Sequence, residues 1–288
     1  MKHKPSKKSK IPGILLVVTL FAGLSLLLYP FASDWWNSMH QSHAIAAYVD
    51  VVTELDDGAY EQLLQQARDY NASLVGQPDR FLPDEQQQQR YDQLLNVSGD
   101  GIIGYVEIPS IHVSLPIYHG TDEEVLQVAV GHIVGSSLPV GGEGTHCVIS
   151  GHRGLPSARL FTDIDQLAVG DLFTLQVLDE TLTYEVDQIR IVEPDDISLL
   201  GIESGQDLCT LVTCTPYGVN SHRLLVRGHR VENPDQHSLP RITADALIID
   251  QRLVAPAVAA PILLVAILWM ILRRPHKGGR NRKEDRDR

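Results

Sequence analysis

A mainly β fold is the expectation for this 288-residue chain: a closed β-barrel with short helices, an N-terminal helical region ahead of it, and two transmembrane helices bracketing the whole. Three observations predict it. After residue 98 the chain breaks into short apolar stretches separated by long irregular connections, the texture of a small barrel with few helices. Between Ser33 and Leu95 it is instead rich in Gln, Ala, Leu and Asp at helical spacing. At either end lies a run without a single charge, each with a basic flank on its outer side.

Taken in order, residues 1–10 form a basic tail carrying Lys2, Lys4, Lys7, Lys8 and Lys10. Ile11 to Tyr29 is uncharged; at ~1.5 Å rise per residue those residues span roughly 28 Å, close to the hydrocarbon thickness of a bilayer. A cleaved signal peptide is the competing reading. The stretch exceeds the usual ~7–15-residue apolar core, and Phe31-Ala32-Ser33 is a poor cleavage site, so a retained anchor is expected. Leu253 to Leu272 is the second uncharged run, and its rival is a buried core helix containing Pro256 and Pro261. Prolines are tolerated in membrane helices, and the run ends in Arg273, Arg274 and a basic tail over 273–288, as a stop-transfer segment does. The positive-inside rule puts both termini in the cytoplasm and residues 30–252 across the membrane, a two-pass protein of the cell membrane whose partner is the lipid bilayer.

Charge follows the same division. Of the net −12, each tail carries +5, leaving −22 on residues 30–252. That balance excludes nucleic acid as a natural partner. Three cysteines without a CxxC pair exclude a disulfide-rich scaffold or a structural zinc module. Asp195-Asp196 lacks EF-hand spacing and reads as a solvated loop, so no metal and no cofactor are expected.

In the helical region, residues 30–98, Ala44, Ala47, Val51, Val52 and Leu55 form one apolar stripe and Leu63, Leu64 and Ala67 another; a third helix is expected over Gln86 to Leu95. Between the second and third, Gly76-Gln77-Pro78-Asp79-Arg80-Phe81-Leu82-Pro83 cannot continue a helix and marks a loop over 76–83. The barrel is expected over 99–232, opening at Gly99-Asp100-Gly101. Its strands are Ile102–Ile108, Val113–Tyr118, His146–Ser150, Asp171–Leu178, Thr183–Val192, Leu208–Thr213 and Arg223–Arg230. Thr121-Asp122-Glu123-Glu124 has capping-box form and predicts a short helix start. Residues 233–252 read as a linker to the second span.

Chemistry concentrates where two apolar strands end in a reactive residue followed by a Gly/Pro-bearing loop: Cys147-Val148-Ile149-Ser150-Gly151-His152-Arg153-Gly154, and Thr210-Leu211-Val212-Thr213-Cys214-Thr215-Pro216-Tyr217 running on to Arg223. A cysteine nucleophile needs its thiolate, hence a base or cation beside it. Acyl transfer needs a donor at the developing oxyanion, and a guanidinium never deprotonates. Cys214, His152 and Arg223 offer these three roles. Arg227, four residues on, shares the strand face of Arg223 and is its closest rival. Cys147 and Cys209 read as buried apolar residues. Each precedes its reactive neighbour by five positions, so a disulfide between them stays open, and a zinc site with His152 and Cys214 is a remote option. His146, His222 and His229 read as solvent-facing or strand-capping.

The stretch TLVTCTPYGVNSHRLLVRG resembles the signature of sortases, cysteine transpeptidases of bacterial cell surfaces, and especially the pilin-polymerising class C group. GYVEIPSIHVSLPIYHGT, residues 104–121, is similar to the first hairpin of that fold. The resemblance implies a sortase-like barrel in which Cys214 is the nucleophile, His152 the general acid/base and Arg223 the group that stabilises the oxyanion or positions the substrate. It also implies a lid over the site. In the family an Asp-Pro-aromatic motif anchors that lid; here Asp79 and Phe81 match, Arg80 stands where proline would, and Asp79 is expected near Arg223 with Phe81 near Cys214. The implied reaction cleaves an LPxTG-like signal between Thr and Gly and joins the acyl group to a pilin lysine amine, the partners being LPxTG-bearing surface proteins or pilins. Two other readings stand beside it: a sortase that anchors proteins to peptidoglycan, and a membrane-tethered assembly module without catalysis.

Overall fold

The computed structural model describes residues 11–234; the second apolar run, both basic tails and most of the expected linker lie outside the described residues. The first helix, α1, runs unbroken from Ile11 to Thr53 with Pro30 inside it. The sequence pattern stops the apolar segment at Tyr29 and begins a new helical region near Ser33, but the loss of one backbone donor at Pro30 does not end a helix with strong formers on both sides. From Val17 onward α1 contains a window of mean hydropathy 1.5 with none of it buried, long and apolar enough to cross a membrane. Its part through Leu28 belongs to a different compact unit from Tyr29 onward.

Within the second unit, α2 (Asp57–Leu74) starts at Asp56, whose carboxylate accepts from the Ala59 N–H at 2.8 Å. Helix α3 (Glu85–Gln93) begins with a capping box: Asp84 accepts from the Gln87 N–H while the Gln87 side chain accepts from the Asp84 N–H, both at 2.8 Å. The barrel follows as β1 (Ile102–Ile108), β2 (Val113–His119), β3 (Val130–His132), β4 (Thr145–Ser150), β5 (Leu172–Val177), β6 (Glu180–Val192), β7 (Asp207–Thr215) and β8 (His222–Val231). It closes in the order β1-β2-β3-β4-β7-β8-β6-β5, with β2–β3 and β4–β7 parallel and the other pairs antiparallel. Strand β3 has no counterpart in the sequence reading. The expected helix at Thr121 is a single turn, α4 (Glu123–Leu126), and the capping box does not form: Asp122 is the N-cap and no side chain bonds the cap.

The larger buried cluster fills the barrel and joins it to the helices, with Tyr48, Leu64, Ala67, Tyr91, Phe173 and Tyr184 among its members. Tyr48 ties α1 to the barrel, donating to the Ile103 carbonyl (3.2 Å) and accepting from the Leu178 N–H (2.7 Å). A smaller cluster of Val148, Leu200, Val212 and Leu225 gathers Phe81, Ile133, Val192 and Leu199 on the opposite face of β4, β7 and β8.

Candidate active site

Strand pleating decides which side chains share the face of that smaller cluster. In β4–β7 the register pairs Cys147 with Cys209, Val148 with Thr210 and Ser150 with Val212; in β7–β8 it pairs Val212 with Leu225 and Cys214 with Arg223. Side chains two apart point the same way. Cys214 and Arg223 therefore lie on the face of Val148, Val212 and Leu225, while Cys147, Cys209 and Leu211 point into the barrel. The parallel alignment persists past the end of β4: the Gly151 N–H donates to the Val212 carbonyl (3.0 Å), and the Thr213 hydroxyl donates to the Gly151 carbonyl (2.7 Å). His152 stands two residues past the end of β4, the strand beside β7, and Cys214 pairs directly with Arg223 across β7–β8. All three are half-buried.

Local sequence explains the turn that delivers His152. Gly151 passes so close beneath Phe161 that a Cβ there would lie 2.7 Å from the ring and 2.8 Å from Val130 Cγ1. The His152 carbonyl then accepts from the Phe161 N–H (3.1 Å), and the Gly154 N–H donates to the Thr162 hydroxyl (3.1 Å). Helix α1 reaches the same loop: Asn37 donates to the Ser157 carbonyl and Asp34 accepts from the Arg159 N–H, both at 2.8 Å.

The two arginines of β8 part company. Arg227 is locked between Asp187 (2.9 Å) and Glu203 (3.1 Å), and the Asp187 hydrogen bonds hold its charge still more firmly. Arg223 donates to the backbone carbonyls of Asn220 (3.3 Å) and His222 (3.2 Å), and among the described residues no carboxylate pairs with it. His146, expected at the surface, is fully buried; its ring bridges the Gly201 carbonyl and the Thr210 hydroxyl at 2.7 Å each. His222 contacts Ser221 and Glu193 at the surface. Cys147 and Cys209 are directly opposite, as their equal offsets suggest, yet both are free buried thiols, and burial pushes the Cys209 thiol well up. Because that pair faces inward while Cys214 faces outward, the three cysteines cannot share a zinc ion. Among the described residues no group of three or more His, Cys, Asp and Glu gathers as metal ligands.

The loop over residues 76–83 reaches the smaller cluster through Phe81. Phe81 packs into the cluster with Val148, Val212 and Leu225, one pleat step from the cysteine. Asp79 is exposed, and among the described residues no ion pair joins it to Arg223. The anchoring falls instead to Arg80, which donates to the carbonyls of Gly135 (2.8 Å) and Leu200 and stacks at 4.3 Å on the Phe81 ring. Gly135, at φ +82°, lets the loop lie directly on it: a Cβ there would meet the Arg80 carbonyl oxygen at 1.9 Å. Burial lowers the Arg80 pKa, with Tyr70 opposing the shift. Sequence reasoning treats Arg80 only as a departure from proline and passes over Arg153, whose signal was its place directly after His152.

The Sortase domain family matches residues 106–231. Among solved structures, sortase C1 from Streptococcus agalactiae is 51% identical with TM-score 0.64, the match covering 67% of this chain and 100% of that one. A sortase C from Streptococcus pneumoniae, whose structure bears on pilin substrate specificity, is 45% identical with TM-score 0.60, covering 66% and 97%. Sortase D from Bacillus subtilis (strain 168) is 34% identical over 131 residues, which are 44% of this chain and 63% of the relative's length.

Proposed function

This chain belongs to the sortase family, and from that premise we propose that it is a class C transpeptidase, anchored in the cell membrane, that polymerises pilins. The observation that supports the reading is the register that sets Cys214 opposite Arg223 on β7 and β8, with His152 two residues past the end of neighbouring β4. The Cys214 thiolate attacks the Thr carbonyl of an LPxTG-like signal; the Thr–Gly C–N bond breaks as a thioester forms, and His152 protonates the departing amine. A pilin lysine amine then attacks the thioester, His152 takes its proton, and Cys214 leaves as the new amide forms. Arg223, unpaired with any carboxylate among the described residues, faces the developing oxyanion or the substrate backbone. Water must lose to the lysine, and a loop packed through Phe81 on Val148, Val212 and Leu225 supports an acceptor brought by protein over one from open solvent. The acidic domain between the two spans lies outside the cytoplasm, with both termini inside.

The test incubates the full chain in detergent with an LPxTG peptide and follows Cys214 by mass spectrometry. A thioacyl adduct is expected, absent in Cys214→Ala and slowed about 10²–10⁴-fold in His152→Ala. No adduct on the folded wild type refutes an enzymatic role. Supplying a pilin lysine donor against a peptidoglycan amine then decides the acceptor; preference for the latter replaces polymerisation with anchoring.

A further inference from the structure

We infer that Arg153 is a positioning residue for this reaction, tying the histidine turn to the nucleophile strand so that His152 is held toward Cys214. The inference rests on the transpeptidase reading. Arg153 follows His152 directly, and its side chain reaches Thr215, the residue after the nucleophile. Its Nη1 donates to the Thr215 hydroxyl at 3.3 Å. Its Nη2 forms an ion pair with Asp165 in the 3-10 turn Ile164–Gln166, and its guanidinium carbon lies 5.9 Å from the centre of the Tyr217 ring in the loop after Cys214. One side chain thus joins three segments: the histidine turn, the Asp165 turn and the nucleophile loop.

That arrangement is costly as a purely structural feature. The side chain is only 10% exposed, and Nε is buried with no hydrogen-bond partner. An unmatched buried N–H opposes folding, and an apolar residue of similar length would fill the space without it. What the guanidinium adds is a hold on β7. Gly151, the residue before His152, is already bonded to β7 through Val212 and Thr213, and Arg153 adds a second tie on the other side of His152, at Thr215. The His152 carbonyl bond to Phe161 and the Gly154 bond to Thr162 do not reach β7.

The experiment compares Arg153→Met, Arg153→Lys and Asp165→Asn with wild type in the full chain, measuring peptide cleavage, the pH dependence of Cys214 alkylation by iodoacetamide, and thermal melting. Arg153→Met should lower kcat about 10–100-fold, as expected for a small misplacement of a catalytic group, with KM changed less than about threefold. Its alkylation profile should move along the pH axis relative to wild type. Arg153→Lys keeps the ion pair with Asp165 and should recover part of the loss; Asp165→Asn should fall between. An unchanged kcat, a rise confined to KM, or a loss no larger than the unfolded fraction at assay temperature overturns the proposal. Alkylation needs no substrate, so the two failures separate. A chain that forms no thioacyl adduct yet shows the shifted profile has lost the reaction and kept the positioning. One that cleaves normally with an unshifted profile has lost the positioning alone.

Discussion

Two arginines four positions apart on β8 present the same group in different company, and that difference sorts their roles. Arg227 satisfies Asp187 and Glu203, so its removal strands two carboxylates without touching Cys214 or Arg223. Among the described residues Arg223 has no carboxylate partner, and it pairs with Cys214 across β7–β8. Arg223→Ala is expected to lower kcat/KM by about 10²–10³-fold with little change in melting temperature. Arg227→Met is expected to lower the melting temperature by a few degrees and leave kcat/KM within about threefold; peptide kinetics and thermal melts on both variants decide it, and the reverse pattern reassigns the cation. Cys214 and His152 stand out in the sequence as candidates because each lies at or just past a strand end followed by a Gly/Pro-bearing loop, whereas Arg223 is picked out by its spacing from Cys214 in the family resemblance. Burial could not: His146 stands one position from an apolar run and reads as polar edge, whereas Gly201 and Thr210, both distant in the chain, supply the partners that let it go inside. Arg153 escaped notice because its partners, Thr215 and Asp165, meet it only after the barrel closes.

The loop over residues 76–83 shows how one element can keep its job with altered chemistry. Its turn is set by the Leu82 N–H donating to the Asp79 carbonyl (2.9 Å), and its grip comes from the Arg80 guanidinium on the Gly135 and Leu200 carbonyls. Two hydrogen bonds to a charged donor are worth about 1.5–3 kcal/mol each, so their loss should raise the open population at least about tenfold. Arg80→Ala is accordingly expected to speed alkylation of Cys214 by a bulky maleimide while the barrel melts nearly as before; an unchanged rate would show that Phe81 alone holds the loop down. The long strands were legible, several to within a residue or two, because alternation and turn residues mark both of their ends. Three-residue β3 was not, since its identity lies in the pairings of Ile117 with Val130 and Ile149 with His132. The capping-box pattern at Thr121 misled for a related reason: in a one-turn helix the chain's entry angle, set by neighbouring strands, overrides the local preference.

At the scale of the molecule, a buried histidine, His146, and a half-buried one, His119, link stability to pH. Burial holds the pKa of His119 and of His146 below the ordinary value, and each ring is lodged among fixed partners, the Leu94 and Gly101 carbonyls for the first, the Gly201 carbonyl and Thr210 for the second. The unfolded chain binds these protons more readily, so their stabilising effect is complete above pH ~6.5 and is lost as pH falls through the lower folded values. Melting temperature should therefore drop between pH 7 and 5, less steeply in His146→Gln; a flat profile would refute the linkage. Fold class was legible because charge, apolar runs and strand spacing agree over the whole length; the strand order was not, because parallel pairing of β4 with β7 leaves no local trace. That pairing has its own consequence for biosynthesis. Thr213 grips Gly151 across 62 residues, and β8 comes later still. A nascent chain leaving the ribosome carries its histidine long before anything exists to hold it beside a thiol, and such distant closure is slow. A translation product that stops before residue 222 lacks β8, and with it the strand that pairs with both β7 and β6 to close the barrel.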